Sequence, residues 1–482
     1  MTSQTDGPRT HTHVLDEDPA GAATRGPHTP GPGLPAPLRQ RHLTMIGLGG
    51  AIGSGLFVGS GAGIAVAGPG ILISFVLAGL LSVLVMRMMG ELSVALPSAG
   101  SFSAHAERAW GSWAGFTVGW LYWCLIVVVL AIEATGAAVI AHGWVPAVDT
   151  WAWVLLFMAV LTAANVVAVG AFGEFEFWFA ALKVAAIVGF LALGVLAIAG
   201  WLPGEKAIGL AHLTDHGGFL PHGWHGVLSG LLVVVFSFGG MEVVTFAAAE
   251  SADPVRGLSR AMRSVVWRLL LFYIGSVTVI VTVLPWNDSK IGQSPFVAVL
   301  NRVGVPGAAE LMNVVLLAAL LSALNANLYA ASRMIYSLAE RREAPGVLRR
   351  LSRKGVPRLA VLASVAFGFV SVLLNFAWPD SVFLWMLNAV GVIALVVWIA
   401  VAATQLRLRA ELERTAPERL TIRVWGYPGL TVLALLAMGT VLVLLAADKD
   451  TRPQVVGTAV LTAAVLAVGV LRQRRRSASR AA

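Results

Sequence analysis

The sequence is poor in charge. Asp, Glu, Lys and Arg make up 12% of its 482 residues, and hydrophobic residues make up 57%. A soluble domain carries about 25% charged residues. A chain with so little charge must be solvated by lipid along most of its length. The composition therefore indicates a membrane protein.

Several motifs that define other classes of protein are missing. The chain has one cysteine, Cys124, which excludes disulfides and cysteine-based zinc sites within one chain. It has no GxxxxGK[ST] sequence, which argues against ATP-driven pumping. No apolar segment carries an HExxH motif or combines His, Asp and Ser. The sequence therefore predicts no enzyme, no metal site and no cofactor, and it contains no obvious channel filter or charged pore ring.

Long apolar runs fill most of the chain after residue 42. A spanning helix needs about 20 apolar residues, because the hydrocarbon core is about 30 Å thick. This length predicts an all-α polytopic membrane protein with about 12 transmembrane helices. We place the spans near 43–66, 71–95, 115–141, 151–171, 178–200, 225–248, 264–284, 308–337, 358–377, 381–404, 427–446 and 454–471.

The basic residues are distributed unevenly between the two sides of these spans. An even number of spans puts both termini on one side. That side carries 25 of the 34 Lys and Arg residues, whereas the opposite loops carry five. Because cytoplasmic loops are enriched in Lys and Arg, we predict a multi-pass protein of the inner (plasma) membrane with both termini cytoplasmic. The net charge of +9 is explained in this way without nucleic acid as a partner.

Two predicted spans are interrupted by glycine. The first contains GLGGAIGSGLFVGSGAG at residues 47–63, and the sixth contains Gly239 and Gly240 within VVVFSFGGMEVVTFAAAE at residues 233–250. Close helix packing is one explanation for such glycines. The alternative is an unwound segment, whose free amides attract carboxylates. Two interruptions five spans apart are typical of two inverted five-helix repeats with a central site.

This pattern divides the chain into five parts. Residues 1–40, rich in Pro, Gly, Thr and His, are predicted to form a disordered cytoplasmic tail. Residues 41–205 form the first repeat, with helices one to five, and residues 206–405 form the second, with helices six to ten. Residues 406–471 add helices eleven and twelve, and residues 472–482 form a basic cytoplasmic tail.

Three ionisable residues within the predicted spans are candidates for function once residues at the span ends are set aside. A charge at a helix centre costs about 2.5–3.5 kcal/mol, so each needs a reason. Glu133 lies deep in span three, Lys183 lies early in span five, and Glu242 follows the glycine pair of span six. Proton exchange is one role for these residues. Interhelical hydrogen bonding, snorkelling of Lys183 and capping by Glu242 are the structural alternatives.

Other polar residues are assigned to loops or to the pathway. Glu174 and Glu176 fall in the predicted loop before span five and are interpreted as contacts of a cytoplasmic gate or loop, as are Glu250 and Asp253. Span eight is unusually polar at Ser322, Asn325, Asn327 and Tyr329, either because it lines the pathway or because it bonds to neighbouring helices.

Several stretches resemble the amino acid transporter family of the amino acid–polyamine–organocation superfamily. They are GLGGAIGSGLF (47–57), PSAGSFSAHAERAWGSWAGFTVGWLYW (97–123), GEFEFWFAALKV (173–184), FSFGGMEVVTFAAAESADP (236–254) and LYAASRMIYSLAERREAP (328–345). Within the family the chain is most similar to bacterial 4-aminobutyrate (GABA) permeases. The stretches LYWCLIVVVLAIEA (121–134), FYIGSVTVIVTVLPWN (272–287) and QLRLRAELE (405–413) carry that similarity.

The resemblance implies two inverted repeats with broken helices one and six, and a substrate site between the breaks. It places the substrate carboxylate on backbone groups of span one and the amine near carbonyls of span six, with Phe236 as a gate. The implied substrate-binding residues are Ala51, Gly53, Ser54, Gly55, Phe236, Ser237, Gly239 and Gly240. Lys183 falls at a family position where its ammonium replaces a structural sodium ion, which implies proton coupling.

The predicted function is thus proton-coupled import of a small amino acid, with 4-aminobutyrate as the first candidate. An amino acid exchanger is the nearest alternative, and so is a permease for another amino acid, such as proline or a small neutral or D-amino acid. The partners implied are the amino acid, protons and the lipid bilayer. No nucleic acid and no obligatory protein partner is predicted.

Overall fold

The computed structural model describes residues 52–97, 101–167, 172–202, 207–240, 242, 254–291, 294–352, 355–378 and 381–481. These residues form helices joined by short connections and contain no β-strand. The helices are α1 (Ser60–Ala67), α2 (Ile71–Ala95), α3 (Ser101–Trp110), α4 (Ser112–Trp144), α5 (Thr150–Val167), α6 (Phe172–Ala199), α7 (Gly223–Phe238), α8 (Pro254–Val283), α9 (Pro295–Val303), α10 (Ala308–Glu340), α11 (Arg358–Ala377), α12 (Val382–Thr415), α13 (Gly429–Ala447) and α14 (Arg452–Ala481).

The apolar helices agree with the prediction of about 12 spans. Eight stretches of the described residues are long and apolar enough to cross a membrane, and three shorter apolar helices accompany them. The first stretch, Gly55–Ala95, contains two spans because it is divided at Gly68–Gly70. Gly68 adopts a φ of +60°, which favours glycine, and Pro69 follows it. The helix therefore stops, and α2 begins at Ile71.

The ends of three helices can be compared with the predicted boundaries. Helix α7 ends at Phe238, next to the glycine pair at which the sixth span was predicted to break, and residues 243–248 of that span lie outside the described residues. Helix α6 begins at Phe172, so residue 176 is helical and the predicted loop there is wrong. Helix α14 continues to Ala481, so residues 472–481 of the predicted basic tail are helical. The predicted tail at residues 1–40, together with Glu250 and Asp253, lies outside the described residues.

Helices that are five spans apart pack against each other. Helix α1 packs on α7, α2 on α8, α4 on α10 and α5 on α11, which pairs spans one to four with spans six to nine. Two repeats related by a pseudo-two-fold axis would produce this arrangement. The packing therefore fits the inverted repeats predicted from the two glycine breaks.

Burial separates a central set of helices from a peripheral one. The most apolar window of α4 is 78% buried and that of α10 is 72% buried. The corresponding values are 22% for α13 and 11% for α14. Helices α4 and α10 therefore form the centre of the bundle, and spans eleven and twelve lie at its edge.

A buried charge cluster connects α2, α12 and the segment before α13. The guanidinium of Arg409 pairs with Glu91, and Gln405 donates a hydrogen bond to the other oxygen of that carboxylate at 2.7 Å. The backbone N–H of Val424 donates to Glu91 at 2.6 Å. Every charge in the cluster thus has close partners, as burial requires. The cluster holds α2, α12 and the segment before α13 together.

The part of α14 beyond its predicted membrane span bonds to the start of α4 and to the segment that follows α10. Gln473 accepts hydrogen bonds from the backbone N–H of Trp113, at 3.0 Å, and from the Ser112 hydroxyl, at 3.2 Å. Arg472 and Arg476 donate to the carbonyl oxygen of Arg342, at 2.5 Å and 2.6 Å. The final helix therefore supplies partners to backbone groups at the start of α4 and just after α10.

A second ionic cluster lies beyond the end of α10. Arg341 contacts Glu107 at 3.3 Å, Ser103 at 2.9 Å and Glu343 at 3.2 Å. Burial raises the pKa of the Glu343 carboxyl from its ordinary value of 4.5 to about 7, and the neighbouring Arg341 only partly offsets this. The folded state therefore binds the proton of Glu343 more tightly than the unfolded chain does.

This difference predicts a pH-dependent stability. The contribution of Glu343 is full below pH 4.5 and is lost as the pH rises toward 7, because the folded protein must then bury the charge. One pKa unit is worth about 1.4 kcal/mol, so the loss reaches at most about 3 kcal/mol. We expect Glu343→Gln to raise the melting temperature above neutral pH and to flatten its dependence on pH. Thermal unfolding in detergent across this range measures both effects, with the exposed Glu418→Gln as control. An unchanged slope in Glu343→Gln would contradict the assignment.

Candidate functional site

The break in span one binds the carboxylate of Glu133. Ile52 and Gly53 are not helical, and a π-helical turn at Gly55–Gly59 follows Ser54. The backbone N–H of Ser54 lies 3.2 Å and 3.1 Å from the two oxygens of Glu133 on α4. Glu133 is 3% exposed. The unwound backbone of span one therefore supplies a donor to a buried carboxylate, as expected of a broken helix.

Glycine is required at this break by the close approach of neighbouring helices. A Cβ atom on Gly53 would lie 2.4 Å from Glu133 Oε1 and 3.1 Å from the Ala323 Cβ. A Cβ atom on Gly55 would lie 2.5 Å from the Ser237 Cα. The Ser237 hydroxyl donates to the Gly55 carbonyl at 2.8 Å. The glycines thus let spans one and six meet at their backbones.

The break in span six holds a second carboxylate, that of Glu242. Helix α7 ends at Phe238, and Gly240 has a φ of +88°, which favours glycine. The Gly240 N–H donates to Glu242 at 2.9 Å, and the Trp398 indole N–H of α12 donates to the other oxygen at 3.0 Å. Glu242 is therefore held in a fixed position at the break, and it is 4% exposed.

A pocket lies between the two breaks. It is lined by Gly55 and by residues of α4, α7, α10 and α12, most of them apolar. Its polar side chains are Tyr122, Glu133, Ser237, Glu242 and Asn327. None of the described lining residues is Lys or Arg. The two carboxylates therefore favour the cationic group of a ligand, and backbone amides are the donors for an anionic group.

Lys183 lies outside the pocket lining and pairs with an acid that the sequence placed in a loop. Its ammonium lies 4.0 Å from Glu176 Oε1, and each side chain is 1% exposed. Both residues belong to α6, where they are two turns apart. The Ser322 hydroxyl of α10 donates to the other oxygen of Glu176 at 2.9 Å. Lys183 also interacts electrostatically with Glu133, which connects the ion pair to the break in span one.

The structure brings most of the predicted site residues together. Those that line the pocket are Gly55, Phe236, Ser237, Gly239, Gly240, Glu133 and Glu242. Gly53 and Ser54 contact Glu133 beside it, and Ala51 lies outside the described residues. Lys183 is buried and does not snorkel to the membrane surface. Among the described site residues, all except Lys183 therefore lie at one of the two breaks, in the pocket lining or beside Glu133.

Sequence reasoning missed three residues of this region. It interpreted Glu176 as a gate or loop contact, but the structure buries it beside Lys183, which corrects that interpretation. It did not identify Tyr122 of the pocket or Trp398, the partner of Glu242. The seven-residue spacing of Glu176 and Lys183, which puts them on one helix face, was the signal available for the first of these.

A bundle of apolar helices with two glycine breaks that face a buried pocket is the arrangement typical of membrane transporters. The chain belongs to the amino acid permease family, whose model matches residues 42–472. It is therefore a multi-pass membrane protein that transports an amino acid, and it is not an enzyme.

Its relatives are similar over nearly their whole length. The gamma-aminobutyric acid permease of Bacillus subtilis is 47% identical over 450 residues, which cover 93% of this chain and 96% of the relative. A probable GABA permease of Pseudomonas aeruginosa is 45% identical, with 91% and 93% of the two chains covered. An aromatic amino acid transport protein of Corynebacterium glutamicum is also 45% identical, with 89% and 93% covered.

Proposed function

We propose that this permease imports a small amino acid together with a proton by alternating access. The observation that carries the proposal is the contact between Glu133 and the Ser54 amide in the break of span one. Broken helices of this kind offer their amides to the carboxylate of a substrate. In this structure the amide of Ser54 instead donates to a carboxylate of the protein itself, that of Glu133.

Competition for this amide provides a means of coupling. A substrate carboxylate that takes the Ser54 N–H must displace Glu133. An anionic Glu133 released there would be a buried, poorly paired charge beside a second anion, which is costly. Protonation of Glu133 removes that cost. Substrate and proton therefore bind together, and each stabilises the bound state of the other.

The other site residues have complementary roles in this proposal. The backbone around Ala51 and Gly53 to Gly55 binds the substrate carboxylate. The amine binds near the carbonyls of Phe236 and Gly239, where Glu242 attracts it. Phe236 acts as a gate and Ser237 keeps spans one and six in contact. Lys183 stabilises the ionised form of Glu133 after the proton has left.

4-Aminobutyrate is the substrate that we propose. Two of the relatives described above are named as permeases for it, and their similarity covers at least 91% of this chain. The aromatic amino acid transporter is as similar as one of them. A permease for an aromatic or another amino acid, or an exchanger, is therefore the alternative that the experiment must separate.

The uneven distribution of basic residues supports the plasma membrane with both termini in the cytoplasm. The packing of helices five spans apart supports repeats over 41–205 and 206–405. Alternating access then consists of the movement of one set of helices against the other around the pocket.

Uptake of labelled 4-aminobutyrate into proteoliposomes tests the proposal. We expect uptake driven by an inward proton gradient and competition by 4-aminobutyrate and its close analogues alone. In Glu133→Gln, which has no titratable group at the amide, we expect exchange of label between the two sides to continue without accumulation driven by the gradient. A Glu310→Gln variant, changed at an exposed position on α10, is the control.

The outcomes distinguish the alternatives. Gradient-driven uptake of a different labelled amino acid would keep the mechanism and reject 4-aminobutyrate as substrate. Exchange that does not respond to the gradient in the wild-type protein would identify an exchanger. Normal gradient-driven accumulation in Glu133→Gln would show that Glu133 does not carry the proton.

A further inference from the structure

Three potential metal ligands, one histidine and two aspartates, lie close together. His225 lies in the first turn of α7, and Asp448 and Asp450 lie in the turn between α13 and α14. One ligand atom from each residue lies within 4.8 Å of the other two. The cluster uses none of the residues that line the pocket.

Contacts hold two of the ligand residues in place. The ring Nε2 of His225 contacts Asp448 Oδ2. The other oxygen of Asp448 accepts hydrogen bonds from the backbone N–H groups of Asp450, at 2.7 Å, and Thr451, at 3.2 Å. The Asp448 side chain is 12% exposed and that of His225 is 63% exposed. One ligand is therefore fixed, and the imidazole is accessible to an ion from solution.

A simple ion pair does not account for all three groups. His225 and Asp448 alone would complete one, but Asp450 brings a second carboxylate to the same imidazole. The nearby cation Arg452 is directed elsewhere, because its guanidinium donates to the carbonyls of Ala446 and Ala447. Two carboxylates repel each other unless a cation lies between them. A divalent ion that contacts both carboxylates would offset this repulsion.

We propose that His225, Asp448 and Asp450 form a binding site for a divalent transition-metal ion such as Zn²⁺. One imidazole nitrogen and two carboxylate oxygens suit this class of ion, and three protein ligands leave the fourth tetrahedral position to water. Bond lengths of about 2.0–2.2 Å require small side-chain rotations that open the direct contact between His225 and Asp448 to admit the ion.

Metal binding at this place has a consequence for transport that rests on the proposed function. Helix α7 leads from His225 directly to Phe236 and Ser237, which line the pocket. A metal ion would attach the start of this helix to the turn between spans eleven and twelve. If span six must move in alternating access, the bound ion slows the cycle.

A direct binding measurement tests the site without relying on transport. The parent is the full chain with His11, His13 and His28 of the tail changed to alanine and with an affinity tag free of histidine. After removal of metal by a chelator, calorimetric titration with Zn²⁺ should give one site per chain. We expect His225→Ala and Asp450→Asn each to weaken binding by at least about tenfold. His222→Ala is the matched control. His222 lies three residues before His225, and its ring packs against Trp286.

Unaltered Zn²⁺ affinity in either His225→Ala or Asp450→Asn would overturn the proposal, and so would equal weakening in His222→Ala. Uptake with Zn²⁺ on both sides of the liposome then tests the consequence. Inhibition in the parent that a chelator reverses and that is absent in His225→Ala supports the attachment of span six. Binding without inhibition supports the site and contradicts that attachment.

Discussion

Replacing Gly53 with leucine is expected to abolish amino acid uptake. The first added carbon would already lie 2.4 Å from Glu133 Oε1 and 3.1 Å from the Ala323 Cβ, well inside the contact distance of about 3.5 Å. The side chain would displace Glu133 from the Ser54 amide and fill the place proposed for the substrate carboxylate. A displacement of about 1 Å at such a site lowers rates about a hundredfold, and we expect at least that loss in labelled uptake.

The matched control is Gly189→Leu. Gly189 lies on α6 with nothing within 4 Å of an added Cβ, so the same substitution should leave uptake nearly unchanged there. If Gly53→Leu does not fold, Gly53→Ala provides the smaller change with the same first clash. Normal uptake in a folded variant at position 53 would mean that span one does not bind the substrate.

Replacing Lys183 with alanine is expected to separate uptake from the proton gradient. The change removes the ammonium that lies 4.0 Å from Glu176. Among the described residues, the hydroxyl of Ser322 then remains as the hydrogen-bond donor to this buried carboxylate. An unpaired buried charge costs about 3–5 kcal/mol, so Glu176 should take up a proton. Glu133 also loses its nearby cation and should hold its proton throughout the cycle. Accumulation driven by the gradient then stops.

A double variant distinguishes this coupling role from a loss of stability. Lys183→Ala with Glu176→Gln removes both charges and should recover most of the melting temperature without recovering gradient-driven accumulation. Lys290→Ala, at an exposed loop position, controls for loss of a lysine. Gradient dependence equal to that of the wild-type protein in the folded single variant would exclude Lys183 from coupling.

The sequence predicted features that depend on local composition. Apolar run length predicted the spans, and the glycine pair at 239 and 240 predicted the end of α7, because glycine disfavours helix and permits the positive φ that the turn requires. The isolated acid at position 133 was predicted to be functional because a charge within a span needs a partner. These properties can be read from neighbouring residues alone.

The partners of these residues could not be predicted in the same way. The contacts of Trp398 with Glu242 and of Ser54 with Glu133 join residues that are 156 and 79 positions apart. Such contacts depend on how the helices pack, and a single sequence does not specify packing between distant spans. Glu176 was misplaced for a different reason, because two acids so close together weakened the apolar pattern that otherwise marks the start of α6.

The end of α14 connects the two helices at the centre of the bundle. Gln473 accepts a hydrogen bond from the backbone N–H of Trp113 at the start of α4, and Arg472 and Arg476 donate to the carbonyl of Arg342. Helices α4 and α10 carry Glu133 and Asn327 to the pocket. Shortening the chain after Leu471 would therefore remove the hydrogen bonds by which α14 links the start of α4 to Arg342, just after α10, and the two helices that form walls of the pocket would lose this connection.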